Sequence, residues 1–229
     1  MKLLLTNDDG VDAAGLLALK QAVCNLGDPI IIAPSEHRSG CSHQVTMNGS
    51  FAVHTRNTDC YAVDGTPADC VRIGLYNLAT KPDWIFSGVN QGGNLGIDAF
   101  HSGTVAAVRE GAFHGIPGIA ISQYRKQATA IDWQRVEKWT LPVIESLIAR
   151  PHQPGTFWNV NLPHLDHNTS DPVITFCPLD PSPLPLHFEI NAQEYSYSGN
   201  YHQRSRREGC DIRTCFDGSI AVTQLSVLG

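Results

Sequence analysis

The opening stretch constrains the fold more than any other feature, because three consecutive leucines run directly into two aspartates and a glycine in MKLLLTNDDG. A strand covered on both faces of a parallel sheet has a continuous rather than alternating apolar sequence, so residues 3–5 predict a buried strand of this kind. Asp8 and Asp9 then lie where this strand ends. Ligands of open α/β sheets bind outside the carboxyl ends of the strands, so the two carboxylates mark a candidate site.

Asp8 and Asp9 allow two interpretations when they are considered alone. Neighbouring carboxylates in a crevice repel each other and are poorly solvated, and a divalent cation with oxygen ligands relieves both problems. The alternative is an Asx-type turn that leads to a helix N-terminus, where acidic residues are favoured in any case. Gly10 suits both interpretations because it lets the chain turn sharply. The motif by itself does not choose between them.

Composition excludes several classes of protein. The chain has 229 residues and a net charge of −6, which argues against a nucleic-acid duplex or an anionic membrane surface as partner, since both require a basic face. No segment reaches the roughly 20 apolar residues that cross a bilayer, and the aspartates cut the first apolar run too short for a signal peptide. The seven cysteines are scattered and form no CxxC pair. They are typical of reduced thiols, so we expect a cytoplasmic protein without membrane contact.

The first 162 residues alternate between strand and helix patterns. Short apolar runs predict five buried strands, and four helices separate them, two of which have clear start signals at Thr66–Pro67 and at Ser102. A turn-rich hairpin pattern interrupts the alternation at residues 46–63. This order predicts an α/β fold, a Rossmann-like doubly wound and mostly parallel sheet. The five strands are expected at residues 3–5, 29–33, 83–90, 116–122 and 156–163.

The composition changes after Pro163. A proline-dense stretch, PLDPSPLPL, precedes two segments with alternating polarity, FEINAQEYSYSG and SIAVTQLSV. Alternation is typical of antiparallel strands with one covered face. We therefore expect a core at residues 1–162 and a smaller, β-rich C-terminal lobe at residues 163–229, which is a possible oligomerisation element.

Four loops of the predicted domain lie at the same sheet edge and carry oxygen and amide groups. Carboxylate, amide and hydroxyl oxygens suit hard cations such as Mg²⁺ or Mn²⁺, whereas zinc sites usually contain histidine or cysteine. A helix that starts with small polar residues offers free N–H groups to phosphate. Each loop alone also has a structural explanation as a connector or a helix cap. Together they indicate phosphoryl chemistry; the loops contain Asp8–Asp9, Ser39, residues 90–94 and residues 101–104.

Four blocks of this sequence also resemble a known family. LLLTNDDGVDAAGL, APSEHRSGCSH, DGTPADCVRIGL and SGVNQGGNLGIDAFHSGTVAAVREG, in that order, are similar to the SurE family of metal-dependent 5′-nucleotidases. The resemblance implies hydrolysis of nucleoside monophosphates, with side activity on other phosphomonoesters or short polyphosphate, and a homodimer or homotetramer. It implies one divalent metal ion, Mg²⁺ or Mn²⁺, and a small-molecule nucleotide substrate. The implied metal ligands are Asp8, Asp9, Ser39 and Asn90, and the implied phosphate-binding residues are Asn94, Ser102, Gly103 and Thr104.

Two mechanisms and two other functions stay open at this point. Asp8 or Asp9 accepts a proton from the attacking water, or one of them attacks phosphorus and forms an aspartyl-phosphate. A receiver-like signalling module also has acidic residues after its first strand, but it needs an aspartate at the end of the third strand, where Ser87 and Asn90 stand instead. A non-catalytic nucleotide-binding protein is the other alternative. We expect both aspartates to face solvent, and we assign no role in the reaction to any histidine.

Overall fold

A nine-stranded, mostly parallel sheet forms the centre of the computed structural model, which describes residues 1–79, 81–126, 129–166 and 168–228. The strands, numbered in chain order, are β1 (Lys2–Thr6), β2 (Asp28–Pro34), β3 (Val53–Asn57), β4 (Cys60–Val63), β5 (Trp84–Asn90), β6 (Gly118–Gln123), β7 (Thr156–Leu162), β8 (Ile174–Phe176), β9 (Phe188–Asn191), β10 (Glu194–Tyr197) and β11 (Ile220–Ser226). Their order in the sheet is β3-β4-β2-β1-β5-β6-β7-β11-β8, and β9 pairs with β10 in a separate hairpin.

The centre of the sheet is parallel and confirms the predicted fold class. β1 pairs in parallel with β2 on one side and with β5 on the other, and β5, β6 and β7 continue in the same direction. Leu3, Leu4 and Leu5 are fully buried, as the continuous apolar run predicts. Because these strands run in one direction, the loops that follow them meet at a single edge.

Helices cover both faces of the sheet. They are α1 (Ala14–Val23), α2 (Pro67–Ile73), α3 (Asp98–His101), α4 (Gly103–Phe113), α5 (Trp133–Ile148) and α6 (Asp211–Phe216), with a π-helical turn at Gly74–Leu78 and a 3₁₀ turn at Tyr201–Gln203. One core cluster combines Leu3 and Leu5 with the apolar sides of α1 and α5, and a second combines Leu4 with those of α2 and α4. This two-sided burial explains why the central strands lack polar alternation.

The two predicted helix starts are confirmed. The Thr66 hydroxyl accepts a hydrogen bond from the Asp69 N–H, and the Asp69 carboxylate accepts one from the Thr66 N–H, which is a capping box with Pro67 at the first helical position. Ser102 caps α4 because its Oγ accepts from the Val105 N–H at 3.1 Å. The start of α4 is therefore fixed by sequence-local chemistry.

The C-terminal third differs from the expectation in one respect. The stretch SIAVTQLSV forms β11, but β11 joins the main sheet: it pairs antiparallel with β7 and parallel with the short β8. Its first four residues are buried, so its apolar side faces the main core and leaves only β9 and β10 as a small separate sheet. The boundary expected between residues 162 and 163 stays a prediction. Within the described ranges, no helix is long and apolar enough to cross a membrane.

Candidate functional site

Asp8 lies directly after β1 and beneath the start of α4. Only 4% of its surface is exposed, so the expectation of a solvent-facing aspartate is wrong. Thr104 donates its hydroxyl hydrogen to Oδ1 of Asp8 at 2.5 Å, and a Cβ added at Gly103 would lie 3.0 Å from Oδ2. Burial raises the pKa of Asp8, the hydrogen bond from Thr104 lowers it, and the charge of Asp9 raises it again. A nearby cation would stabilise this buried carboxylate.

Asp9 is the more accessible carboxylate of the pair, with 15% of its side chain exposed. Its Oδ2 accepts a hydrogen bond from the Gln91 N–H at 3.1 Å. Gln91 follows β5, so this contact joins the ends of β1 and β5. His37 lies on the other side, with its Nδ1 at 3.4 Å from Oδ1 of Asp9.

The NDDG turn is built by Asn7 rather than by the aspartates. The side chain of Asn7 donates to the Gly10 carbonyl at 2.8 Å and accepts from the Gly10 N–H at 3.2 Å. Gly10 has a φ of +106°, which a side chain would rarely allow. The Asx-type alternative is thus present, but it uses neither carboxylate and leaves both to the site.

The segment that carries Ser39 is attached to the aspartate turn through its backbone. The Arg38 N–H donates to the Asp8 carbonyl at 2.7 Å, and Ser39 follows in an exposed turn. The Nε atom of Arg38 is buried and has no hydrogen-bond partner among the described residues. This segment therefore brings a hydroxyl and a cationic side chain to the end of β1.

The two asparagines of the GVNQGGN loop have different surroundings. Asn90 ends β5 and donates from Nδ2 to the Gly92 carbonyl at 2.8 Å, which leaves its Oδ1 for a ligand. Asn94 is buried, and its hydrogen bonds run to β6 and β7: its Nδ2 donates to Ser122 at 2.8 Å, and its N–H donates to Asn161 at 2.8 Å. Asn90 thus precedes Gln91, the residue that contacts Asp9, whereas Asn94 is anchored further along the edge.

The start of α4 provides backbone donors beside Asp8. Ser102 satisfies the Val105 N–H, whereas helix geometry leaves the N–H groups of Gly103 and Thr104 without an intrahelical partner. Residues with such small side chains let an anion approach the helix end. Thr104 contacts Asp8 through both its hydroxyl and its backbone N–H, so the N–H of Gly103 is the donor that remains for a phosphate.

The donor set at this edge fits a hard divalent cation. It consists of two carboxylates, an amide oxygen and a hydroxyl, which are ligands for Mg²⁺ or Mn²⁺ rather than for zinc. Among the residues that the structure describes, no group of three or more His, Cys, Asp or Glu side chains is arranged to hold a metal. The candidate set contains only two residues of those types, so it depends on the neutral oxygens of Ser39 and Asn90.

Several polar residues of the site were missed from the sequence alone. Asn159 and Asn161 of β7 both donate to the Asn94 carbonyl, at 2.9 and 3.2 Å. Their signal was two asparagines at alternate positions of an otherwise apolar strand, TFWNVNL, which places both on one face. Ser122 gave no comparable signal because a single serine near a strand end is common.

The chain is similar to known proteins over nearly its whole length. The sequence profile described as Survival protein SurE matches residues 3–179. A relative from Nostoc sp. (strain PCC 7120) is 49% identical over 99% of this chain and 100% of its own length. The 5′-nucleotidase SurE 1 of Thermus thermophilus is 34% identical over 99% of this chain and 92% of its own length. The crystal structure of SurE from Aquifex aeolicus has a TM-score of 0.87 and 30% identity, and the match covers 99% of this chain and 93% of that one. This chain belongs to the SurE family.

Proposed function

We propose that this SurE protein hydrolyses nucleoside monophosphates to nucleoside and phosphate at the end of β1, with one divalent metal ion. The observation that carries the proposal is the contact between Asp8 and Thr104, because it joins a carboxylate pair to the start of helix α4. The 5′-nucleotidase names of the full-length relatives support the same activity. Membership of the SurE family also speaks against the receiver-like alternative.

Asp8, Asp9, Ser39 and Asn90 are the proposed metal ligands, and Mg²⁺ or Mn²⁺ is the proposed ion. When bound, a divalent cation supplies positive charge to the phosphate oxygens and makes water more acidic. The carboxylates of Asp8 and Asp9 fit this role because burial, and to a smaller extent the charge of Asp9, raises the pKa of Asp8, and positive charge would relieve both effects. The relatives' names do not specify a metal, so its identity rests on the oxygen donors of this chain.

The phosphate is proposed to bind at the start of α4. The N–H group of Gly103 is proposed to donate to the phosphate, and the N–H group of Thr104, which also donates to Asp8, adds partial positive charge at the same helix end. Ser102 fixes these groups by capping the helix. Asn94, held by Ser122 and Asn161, is proposed as a further phosphate contact at the adjacent strand ends.

Asp8 and Asp9 are the proposed catalytic residues, with different tasks. Asp8 is buried and its Oδ1 is occupied by the Thr104 hydroxyl, so it is suited to a fixed position. Asp9 is more exposed, so water can reach it, and we assign it the proton of the attacking water. The oxygen of water then bonds to phosphorus as the bond to the nucleoside oxygen breaks, and the nucleoside oxygen takes up a proton from solvent. Direct attack by an aspartate remains the second route.

Removal of metal tests the proposal. We expect the protein treated with EDTA to release no phosphate from AMP or p-nitrophenyl phosphate, and we expect Mn²⁺ or Mg²⁺ to restore release. The same assay with short polyphosphate tests the proposed side activity. Activity that does not change after EDTA treatment would contradict the metal, and no release under any metal would favour a non-catalytic nucleotide-binding protein. Trapping of a phosphorylated enzyme would show the aspartyl-phosphate route.

We also propose that the chain forms a homodimer or homotetramer through the β9–β10 hairpin. All eight residues of the two strands are exposed, and an isolated two-stranded hairpin is only marginally stable in water. Exposed apolar side chains line it, which is unusual for a free surface. Those more than half exposed are Leu186, Phe188, Ile190 and Tyr195.

Charged substitutions in this hairpin test the assembly. We expect the double variant Ile190→Lys/Tyr195→Lys to elute at a smaller size than the wild type in size-exclusion chromatography with light scattering, because buried lysines oppose association. Lysine at the exposed Leu17 of α1 serves as a control on another surface. A wild-type protein that is monomeric at micromolar concentration would refute the proposal.

The cysteines support a cytoplasmic location, which we propose for this protein. All seven are free thiols in the structure, including the buried Cys70 and Cys215. Free thiols persist in reducing compartments.

A further inference from the structure

Glu110 is a buried carboxylate outside the site with three basic neighbours. It lies on α4 with 8% of its side chain exposed, and its Oε2 is 2.8 Å from Nε2 of His43. Its Oε1 lies 3.2 Å from Nε2 of His114 and 3.8 Å from Nε of Arg72. Arg109, the residue before Glu110, donates to the Ala99 carbonyl instead.

These neighbours keep Glu110 ionised. Burial opposes ionisation, but hydrogen bonds from His43 and His114 and the charge of Arg72 outweigh it and lower the pKa of Glu110. His43 therefore donates from Nε2 to a carboxylate, which makes a strong hydrogen bond with little exposure to solvent. His43 is itself mostly buried, with 18% of its side chain exposed.

His43 belongs to the segment that carries Ser39. Between them stands Ser42, one of two non-glycine residues with positive φ among the described residues, at +52°. Such a conformation is unfavourable and persists only where surrounding contacts hold it. Two contacts hold the backbone at Ser42. The Ser42 hydroxyl donates to the Phe100 carbonyl at 3.1 Å, and the next residue, His43, contacts Glu110.

Helix α4 thus contacts both the aspartate turn and the Ser39 segment of the candidate site. Thr104, in the first turn of α4, holds Asp8, and Glu110, later on α4, holds the Ser39 segment through His43. We propose that Glu110 and His43 are positioning residues, which set the Ser39 turn at the distance from the aspartates that metal binding requires. This inference rests on the proposed metal site.

The two histidines that contact Glu110 allow a matched test of this inference. His43 lies on the Ser39 segment, whereas His114 directly follows α4, four residues after Glu110, so the loss of its side chain leaves the segment attached. We expect His43→Ala to weaken Mn²⁺ binding to the metal-free protein by about 10-fold in calorimetric titration, as outer-shell substitutions typically do. We expect His114→Ala to bind Mn²⁺ like the wild type. His43→Gln, which keeps a donor for Glu110, should recover most of the affinity.

Activity measurements separate positioning from a general loss of structure. The His43→Ala protein should need more Mn²⁺ for half-maximal activity and approach the wild-type kcat when Mn²⁺ is saturating. The His43 ring also packs against the Phe113 ring, with 5.6 Å between the ring centroids. His43→Phe therefore serves as a second variant, which keeps an aromatic ring but cannot donate a hydrogen bond to Glu110. It should lose affinity as His43→Ala does.

The outcomes that overturn the inference are specific. Wild-type Mn²⁺ affinity in His43→Phe would show that the contact does not position the site. Equal losses in His43→Ala and His114→Ala would assign the effect to the charge of Glu110 alone. Asp8→Asn is titrated in parallel: if it binds Mn²⁺ like the wild type, the proposed metal site itself is wrong, whereas a loss confined to Asp8→Asn rejects only the role of His43.

Discussion

Asp8→Asn should reduce metal-dependent phosphate release from AMP by more than about 100-fold, the scale of losing one preorganised electrostatic group in an active site. Asparagine has almost the same shape, and its Oδ1 can still accept the hydrogen bond that Thr104 donates at 2.5 Å. The variant therefore removes a negative charge and one oxygen ligand while it keeps the local fold. Asparagine is a cleaner replacement than alanine because Asp8 is buried. Initial rates at several Mn²⁺ concentrations measure the effect.

Asp12→Asn is the matched control for this experiment. Asp12 lies in the same loop after β1, but 86% of its side chain is exposed and its nearest basic partner, Arg56, is 3.8 Å away. We expect its activity and metal requirement to remain at the wild-type level. If Asp8→Asn retains full turnover, Asp8 is neither a metal ligand nor a catalytic residue.

Asp211→Ala should destabilise the protein by at least about 3 kcal/mol, because three buried N–H groups lose their acceptor and each such loss is worth about 1–3 kcal/mol. Asp211 is fully buried, and its carboxylate accepts hydrogen bonds from the N–H groups of Gly96 at 2.7 Å, Asp180 at 2.8 Å and Ile212 at 2.8 Å. Urea unfolding followed by circular dichroism measures the change. Activity should fall as well, since Gly96 lies two residues after Asn94.

Asp217→Ala provides the comparison at the surface. Asp217 follows α6 and pairs with Arg213, but 54% of its side chain is exposed. Exposed ion pairs contribute about 0–1 kcal/mol, so this variant should unfold at nearly the wild-type urea concentration. An Asp211→Ala protein as stable as Asp217→Ala would mean that water replaces the lost acceptor and that the C-terminal segment does not hold the Gly96 loop.

Local sequence signals predicted the centre of the fold well. The continuous apolar run at Leu3–Leu5 predicted a strand buried on both faces, and the Thr66–Pro67 pair predicted the start of α2, because both signals act within a few residues. The sheet that β11 joins was not predictable in this way. Its alternating pattern indicates that one side is covered, but its partner β7 is chosen by contacts such as Val222 with Val160, far apart in the chain.

The sequence predicted which loops form the candidate site but not which side chains contact each other there. Parallel strands bring their following loops to one edge, so the approach of the Gln91 loop to Asp9 follows from topology. The side-chain contacts do not. The hydrogen bond between Thr104 and Asp8 depends on how closely α4 packs against the end of β1. The hydrogen bond between His43 and Glu110 joins residues 67 positions apart in the chain, and the sequence contains no local signal for such a contact.

The antiparallel pairing of β11 with β7 also determines when folding can finish. Asn161 pairs with Ala221, so β7 leaves the ribosome about 60 residues before the strand that covers its edge. Closing such a long loop is slow compared with forming the local strand–helix units that precede it. Until then, the backbone donors and acceptors of β7 are open to any other extended chain. The β7 edge of the nascent protein is therefore open to aggregation after the loops of the candidate site have been made and before β11 is synthesised.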